Sequence, residues 1–157
     1  MRSFVVVFAA AALVVVLFVV VPRTRRHAAA PAVRASWMLT PGVLNPDVIQ
    51  ATIRATICVH GWTRTIRPPT DYTSRLKLDQ LRAYGLRGSP GDFQEDHLIS
   101  LELGGHPTDP RNLWPEPYPR AADVDRIENE LNAAVCSGGM SLDAAQRRES
   151  ALKHDKG

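Results

Sequence analysis

Two short stretches decide the fold: residues 95–105, EDHLISLELGG, and residues 109–114, DPRNLW. From Phe93 apolar and polar residues alternate, which predicts a short hairpin strand that ends at Gly104-Gly105. A loop with Pro107, Asp109-Pro110 and Asn112 follows. The glycine pair allows a second strand to return close to the first.

Helices are predicted on both sides of this hairpin. Upstream, Asn45-Pro46 precedes apolar residues at helical spacing, which predicts an amphipathic helix of about three turns over residues 46–57. A second helix is predicted over residues 73–84 and ends at Gly85. Downstream, residues 121–135 have helical periodicity, and Ser141 is the expected N-cap of a last helix. The predicted fold is therefore a mainly helical α+β domain.

The N-terminus has a different composition. Residues Phe4–Val21 contain no charged or polar side chain and follow Arg2, which is typical of a signal peptide or a signal-anchor transmembrane helix. Ala28–Ala30 favour cleavage, whereas Arg23, Arg25 and Arg26 favour an uncleaved anchor and leave its orientation open. We expect this hydrophobic helix within residues 1–22, a linker over residues 23–36 and one domain over residues 37–157.

The chain has two cysteines, Cys58 and Cys136, and no CxxC pair, so a zinc ribbon or thioredoxin-type motif is excluded. In an exported domain two separated cysteines most often form a disulfide; two buried thiols are the alternative. A disulfide would favour a periplasmic or extracellular location.

Charge is unevenly distributed along the domain. From residue 31 onward there are 15 basic and 16 acidic residues, so the formal charge of +3 for the whole chain comes from arginines around the apolar segment. Residues 54–87 carry a net charge of +5 and residues 92–130 a net charge of −7. A phosphate-binding half beside a cation-binding half suits a metal-dependent nuclease, although a solvated helix beside an acidic surface would give the same pattern.

The order of Asp96-His97, Gly104-Gly105 and Asn112-Leu113 resembles the signature of the HNH (ββα-metal) endonucleases. The chain also looks like a group of small exported bacterial proteins with this signature, over roughly residues 40–146. The resemblance implies a ββα-metal module, with a helix after the hairpin, and hydrolysis of phosphodiester bonds in nucleic acid, most often DNA.

The residue types fit that chemistry. Adjacent side chains on a strand point to opposite sides, so Asp96 can bind a divalent metal while His97 acts as general base with a pKa near neutrality. Asn112 would orient the His97 imidazole or ligate the metal. Mg²⁺ is the expected cofactor, with Mn²⁺ or Zn²⁺ as alternatives.

Two positions depart from the HNH pattern. Ser100 stands where relatives usually have proline. The pattern also ends with a histidine about nine residues after the asparagine, and residues 119–122 contain none. The third metal ligand would then be Asn112 or an acidic side chain: Glu116, Asp125 or Glu128.

Other polar residues are less specific. Candidate phosphate-binding residues are Arg64, Arg67, Arg75, Lys77 and Arg111. Trp114 is expected to pack in the core. His60, His106 and His154 are expected at the surface, with His106 close enough to the turn to contact a phosphate.

The sequence thus predicts an exported or membrane-anchored, metal-dependent HNH-type endonuclease. One rival is a non-catalytic, disulfide-stabilised envelope module that keeps the scaffold for binding. A second rival is a metal-dependent hydrolase of envelope polymers, because fold resemblance does not decide the substrate.

Overall fold

Two antiparallel strands and four helices form the part of the chain that the computed structural model describes, residues 33–155. They are α1 (Trp62–Ile66), α2 (Thr70–Ala83), β1 (Phe93–His97), β2 (Leu113–Pro117), α3 (Arg120–Ser137) and α4 (Leu142–Asp155). The predicted α+β class is correct. The predicted hydrophobic helix lies outside the described residues, and no helix among residues 33–155 is long and apolar enough to cross a membrane.

The sheet consists of β1 and β2 in antiparallel register, with Asp96 opposite Trp114 and His97 opposite Leu113. The predicted strand ends too late, because β1 stops at His97 and the chain then forms a 3-10 turn over Leu101–Leu103. The apolar residues after His97 are buried in this loop rather than in a strand. Asp96 and His97 therefore stand at the end of β1, where the loop begins.

The predicted helix over residues 46–57 is wrong. The segment forms turns with one 3-10 turn at Ile53–Ala55. The Thr52 hydroxyl donates to the carbonyls of Asp47 and Ile49 and accepts from the Ile49 N–H, so it replaces helical bonds with local ones. The segment is also rich in β-branched residues, which lowers its helix propensity.

The other three predicted helices are confirmed. Helix α2 begins three residues earlier than expected and is followed by Gly85, which has a φ of 63°. Helix α3 covers the predicted range, and the Ser141 hydroxyl accepts the Ala144 N–H at 3.3 Å as N-cap of α4. Buried contacts begin at Ala35, two residues before the predicted start of the domain, because its N–H donates to the Lys153 carbonyl at 3.0 Å.

The main core lies between the turns of residues 48–57, the loop after β1, and helices α3 and α4. Its buried members are Val48, Ile53, Ile57, Ile99, Leu103, Leu131, Val135, Leu142 and Ala145. The predicted disulfide is present between Cys58 and Cys136, with a Cα–Cα distance of 5.5 Å, and packs against this core. It joins the segment before α1 to the end of α3.

Gly104 and Gly105 end the loop after β1 for steric reasons. Gly104 has a φ of 79°, which disfavours any side chain. At Gly105 an added Cβ would lie 1.7 Å from the Ile99 carbonyl oxygen and 2.6 Å from Asn112 Nδ2. The second glycine therefore provides space for backbone contact rather than a hairpin turn.

We expect the double substitution Cys58→Ala/Cys136→Ala to lower the free energy of unfolding by about 4 kcal/mol, because the disulfide closes a loop with a sequence separation of 78 residues. Urea denaturation monitored by circular dichroism measures this change. Wild-type protein treated with a reductant should unfold at the same urea midpoint as the double variant. An unchanged midpoint in both would contradict the prediction.

We expect Gly105→Ala to cost at least about 3 kcal/mol, because a rigid backbone carbonyl occupies the space that its methyl group needs. Gly139→Ala is the matched control. Its Cβ would lie 3.6 Å from the nearest atom, so its midpoint should stay close to that of the wild type. Equal stability of the two variants would rule out the steric explanation.

Candidate metal centre

A cavity of about 390 Å³ opens beside the end of β1, between α1 and α3. Asp96 and His97 both line it, although neighbouring strand residues were expected to diverge. They share the cavity because β1 ends there and the chain turns away. Its other polar lining residues are Thr63, Arg67, Gln94, Ser100, Glu102, Asp125, Glu128 and Asn129.

Three carboxylates meet in this cavity. One oxygen from each of Asp96, Asp125 and Glu128 lies within 4.8 Å of the others. Asp125 and Glu128 are three residues apart on α3, so they lie on one face of that helix, and β1 brings Asp96 to the same face. Both helix residues were among the acidic alternatives for the missing histidine.

A fully buried lysine from α4 holds two of these carboxylates. Lys153 Nζ lies 2.8 Å from Asp96 Oδ2 and 2.6 Å from Glu128 Oε1, and it also donates to the His97 carbonyl. These bonds use all three ammonium hydrogens. Glu149 Oε1 adds an ion pair at 3.4 Å. Lys153 thus fixes one oxygen of Asp96 and one oxygen of Glu128.

Burial and neighbouring charges shift the pKa values of this cluster. Burial would raise the pKa of Asp96, but the Lys153 charge and the hydrogen bonds from Glu116 and Lys153 together outweigh burial, so the pKa is lowered and Asp96 is ionised. Burial raises the pKa of Glu149 well above its ordinary value despite Lys153, and it also raises the pKa of Glu128. Lys153 itself stays charged, because the surrounding carboxylates overcome its own desolvation and raise its pKa.

Glu116 lies next to this group but outside it. The register pairs Gln94 with Glu116 and Asp96 with Trp114, so Glu116 is diagonally across from Asp96. Burial and the Asp96 charge raise the pKa of Glu116 to about 9, although the Arg120 guanidinium pairs with Glu116 Oε1. A protonated Glu116 can donate a hydrogen bond to Asp96. The buried Oε2 of Glu116 otherwise has no partner in the part of the chain that the structure describes. Glu116 therefore acts on Asp96 rather than as a member of the carboxylate triad, where it was expected.

His97 has a defined tautomer. Its Nε2 lies 2.9 Å from the Pro107 carbonyl oxygen, and because a carbonyl only accepts, Nε2 must carry the hydrogen. Nδ1 then has the free lone pair. Burial lowers the pKa of His97, so the imidazole is neutral at pH 7. A buried, oriented and neutral imidazole at a cavity wall has the properties of a general base.

Asn112 does not have its predicted partner. Its Oδ1 accepts the Ile99 N–H, and its Nδ2 donates to the carbonyls of Ile99 and His106, each at 3.0 Å. It bonds to the loop backbone and not to the His97 ring, and it does not line the cavity. A buried loop needs partners for its peptide groups, and Asn112 supplies them. The loop in turn carries Pro107, which orients His97.

The five candidate phosphate-binding residues separate into two groups. Arg67 alone among them lines the cavity. Arg75 and Arg111 form exposed ion pairs with Asp71 and Asp109. Lys77 donates to the Phe93 carbonyl at 3.0 Å, and Arg64 is exposed with His60 Nε2 at 3.4 Å.

The predicted positions of Trp114 and the other histidines are only partly correct. Trp114 is fully buried, as predicted, whereas His154 is buried and not at the surface. His154 is held by the Thr40 carbonyl at 3.1 Å from its Nε2. His106 Nδ1 accepts the Asp109 N–H at 3.0 Å and is therefore used in the loop.

Ser100 and Glu102 also line the cavity and were not predicted as site residues. Ser100 is 5% exposed, and its hydroxyl has no hydrogen-bond partner among residues 33–155. Burial, reinforced by the charges of Glu128 and Asp125, raises the pKa of Glu102 to about 7. Their signal in the sequence is weak, because both belong to the stretch that was assigned to an alternating strand.

Lys153 and Glu149 were missed as well, although the sequence carries a signal for them. The core-facing stripe of α4 contains Gln146, Glu149 and Lys153 at helical spacing, next to Leu142 and Ala145. Polar residues on an apolar stripe indicate buried partners. The partners are in the loop and on β1, far away in sequence, so periodicity could not identify them.

The donor set fits a hard divalent cation. Three carboxylates are the ligands that Mg²⁺ and Mn²⁺ prefer, whereas zinc sites usually include histidine or cysteine. The buried Ser100 hydroxyl without a protein partner at the same cavity is a second sign that a polar ligand belongs there. Asp96, Asp125 and Glu128 are therefore the residues that could hold a metal.

We expect Asp125→Asn to weaken Mn²⁺ binding at least about tenfold, since it removes one of three charged ligands. Asp125 is the most suitable position because it lies outside the buried Lys153 network. Isothermal titration calorimetry on the full chain in detergent measures the affinity.

Asp123→Asn is the matched control, because Asp123 is an exposed residue of the same helix. It removes the same charge two positions away and should leave the affinity within about twofold. Equal weakening by both substitutions would show that only the general negative field of α3 attracts the cation.

No protein-family model, curated protein or solved structure matches this chain. The HNH resemblance in the sequence therefore gains no support from relatives and stays a prediction. The function has to be argued from the residues of the cavity.

Proposed function

We propose that this protein is a metal-dependent endonuclease of the HNH type that hydrolyses phosphodiester bonds, with DNA as the expected substrate. One observation carries the proposal: a buried neutral histidine, three carboxylates that can hold a cation and an arginine line the same cavity. Phosphodiester hydrolysis needs a base, a cation for the developing charge and a group that binds phosphate. The cavity contains a residue for each.

His97 is the proposed general base. Its Nε2–H is fixed on the Pro107 carbonyl, so Nδ1 can take a proton from an attacking water. Because burial keeps the ring neutral, the base is in its active form at pH 7. Asn112 contributes indirectly, through the loop that carries Pro107.

Asp96, Asp125 and Glu128 would hold the divalent metal. When bound, the metal supplies Lewis-acid stabilisation of the negative charge that develops on the phosphate. Lys153 keeps Asp96 and Glu128 in place, and Glu116 acts on Asp96 through a shared hydrogen. These two residues are positioning residues, because neither lines the cavity.

Arg67 is the proposed phosphate-binding residue. It follows α1 and enters the cavity wall opposite the acidic face of α3. A guanidinium can bind two phosphate oxygens at once and so orient the bond to be cleaved. The other basic candidates lie outside the cavity lining and would only increase general affinity for nucleic acid.

The proposed location is the cell envelope or the exterior. The disulfide weakly favours an oxidising compartment, and the apolar segment over residues 4–21 is consistent with export or anchoring. Nucleic acid is then the substrate partner, and a membrane is the partner of the N-terminal segment.

We expect the full chain in detergent to nick supercoiled plasmid with Mg²⁺ or Mn²⁺ and to lose this activity in EDTA. His97→Ala should lower the rate about 10²–10⁴-fold, the usual contribution of a general base. Agarose-gel kinetics measure the rate, and circular dichroism checks that the variant is folded.

His60→Ala is the matched control, because His60 is exposed, does not line the cavity and has its side-chain contact at 3.4 Å with Arg64. Its rate should equal that of the wild type. Folded wild-type protein that binds Mn²⁺ without cleaving any nucleic acid would favour the hydrolase of envelope polymers. Folded protein that neither binds metal nor cleaves would favour the non-catalytic binding module.

A further inference from the structure

A rigid turn at the start of the folded domain exposes three consecutive large apolar side chains. Trp37, Met38 and Leu39 are 59%, 92% and 42% exposed. Single exposed apolar residues are ordinary on protein surfaces, but three in a row at the tip of one turn form a patch. We call Trp37-Met38-Leu39 the apolar turn.

The apolar turn is held in place by its neighbours. The Ser36 N–H donates to the Tyr84 hydroxyl, and the Ser36 carbonyl accepts the Thr40 N–H at 2.7 Å. The Leu39 N–H donates to the Ser36 hydroxyl at 3.2 Å. These bonds fix the backbone on both sides, so the exposure of Met38 is built into the fold.

The Trp37 indole is also fixed. It stacks on the imidazole of His154, with ring centroids 3.5 Å apart and an interplanar angle of 6°. His154 itself is 4% exposed and is held by Thr40 and Ser150. One face of the indole is thus covered, while its remaining surface stays open to the surroundings.

The chain before the turn indicates what covers it. The uncharged apolar segment ends at Val21, followed by Arg23, Arg25 and Arg26. Residues 22–32 join that segment to the described domain and span at most about 40 Å when extended. If the apolar segment lies in a bilayer, the turn is confined close to the same bilayer surface. Such confinement raises the effective concentration, so a few side chains are enough for docking.

We propose that the apolar turn inserts into the headgroup layer of the membrane to which residues 4–21 are expected to anchor the chain. Tryptophan prefers this layer because its ring is apolar and its N–H is polar. Met38 and Leu39 add apolar surface beside it. The inference rests on the proposed membrane location of the chain and is independent of the nuclease proposal.

The apolar turn and the carboxylate cluster contact adjacent residues of α4. Lys153 and His154 are adjacent on α4, so their side chains leave the helix about 100° apart. His154 supports Trp37, whereas Lys153 faces Asp96 and Glu128 at the cavity. The turn and the carboxylate cluster are thus supported by different faces of α4.

The test uses the full chain reconstituted in phosphatidylcholine vesicles whose acyl chains are brominated either near the headgroup or near the bilayer centre. Bromine quenches tryptophan only at short range. Wild-type emission should fall with shallow bromines more than with deep ones. Trp37→Phe should lose this quenching, while Trp62→Phe, the matched control, should retain it.

Met38→Ser/Leu39→Ser should reduce the quenching of Trp37 without a change in the circular dichroism spectrum, because both side chains are exposed. Equal quenching of the wild type and Trp37→Phe would overturn the proposal. So would recovery of the protein free of vesicles, or Trp37 accessible to aqueous acrylamide and not to lipid bromines. Concentration-dependent protection of Trp37 in detergent would instead assign the turn to a second copy of the chain.

Discussion

The ammonium of Lys153 is the interaction on which the site depends. A charge that is fully buried is unfavourable unless it is paired and hydrogen-bonded, and here Asp96, Glu128 and the His97 carbonyl use all its hydrogens. Removing the lysine would leave several buried carboxylates without compensation, a loss typically worth about 3–5 kcal/mol. Helix α4 therefore fixes the position of the end of β1 and the orientation of the Asp96 carboxylate.

Buried polar side chains also hold the loop after β1. Glu149 accepts the Ser100 N–H, Gln146 donates to the Leu103 carbonyl and Asn132 donates to the Glu102 carbonyl. Asn112 bonds to both peptide groups of Ile99. Helices cover the loop, so water cannot hydrogen-bond to its peptide groups. Side chains from α3 and α4 make these hydrogen bonds instead. This explains how a segment with little regular structure can fix His97 within a cavity.

Sequence patterns identified the elements that depend on interactions between residues close together in the chain. Helices α2, α3 and α4 were predicted because periodicity, Gly85 and Ser141 act within a few residues, and the disulfide followed from cysteine number. The segment 46–57 failed because the Thr52 hydroxyl, invisible to a periodicity argument, satisfies the backbone in another way. Asp96 and His97 were found from a motif. Lys153 and Glu149 were not, because their partners Asp96 and Ser100 lie 57 and 49 residues away in β1 and in the loop after it, and such pairing leaves no local trace.

Under the proposed HNH assignment, two acidic residues of α3 would take the place of the missing histidine. Asp125 and Glu128 are one helical turn apart and face Asp96, so the helix still offers side chains that can bind a cation. Exchanging an imidazole for carboxylates makes the donor set harder and more negative, which shifts preference from Zn²⁺ toward Mg²⁺ and Mn²⁺. The extra negative charge would repel a phosphate. Lys153 below the carboxylates and Arg67 at the cavity wall offset that charge, so the lysine of the last helix and the altered ligand set are parts of one arrangement.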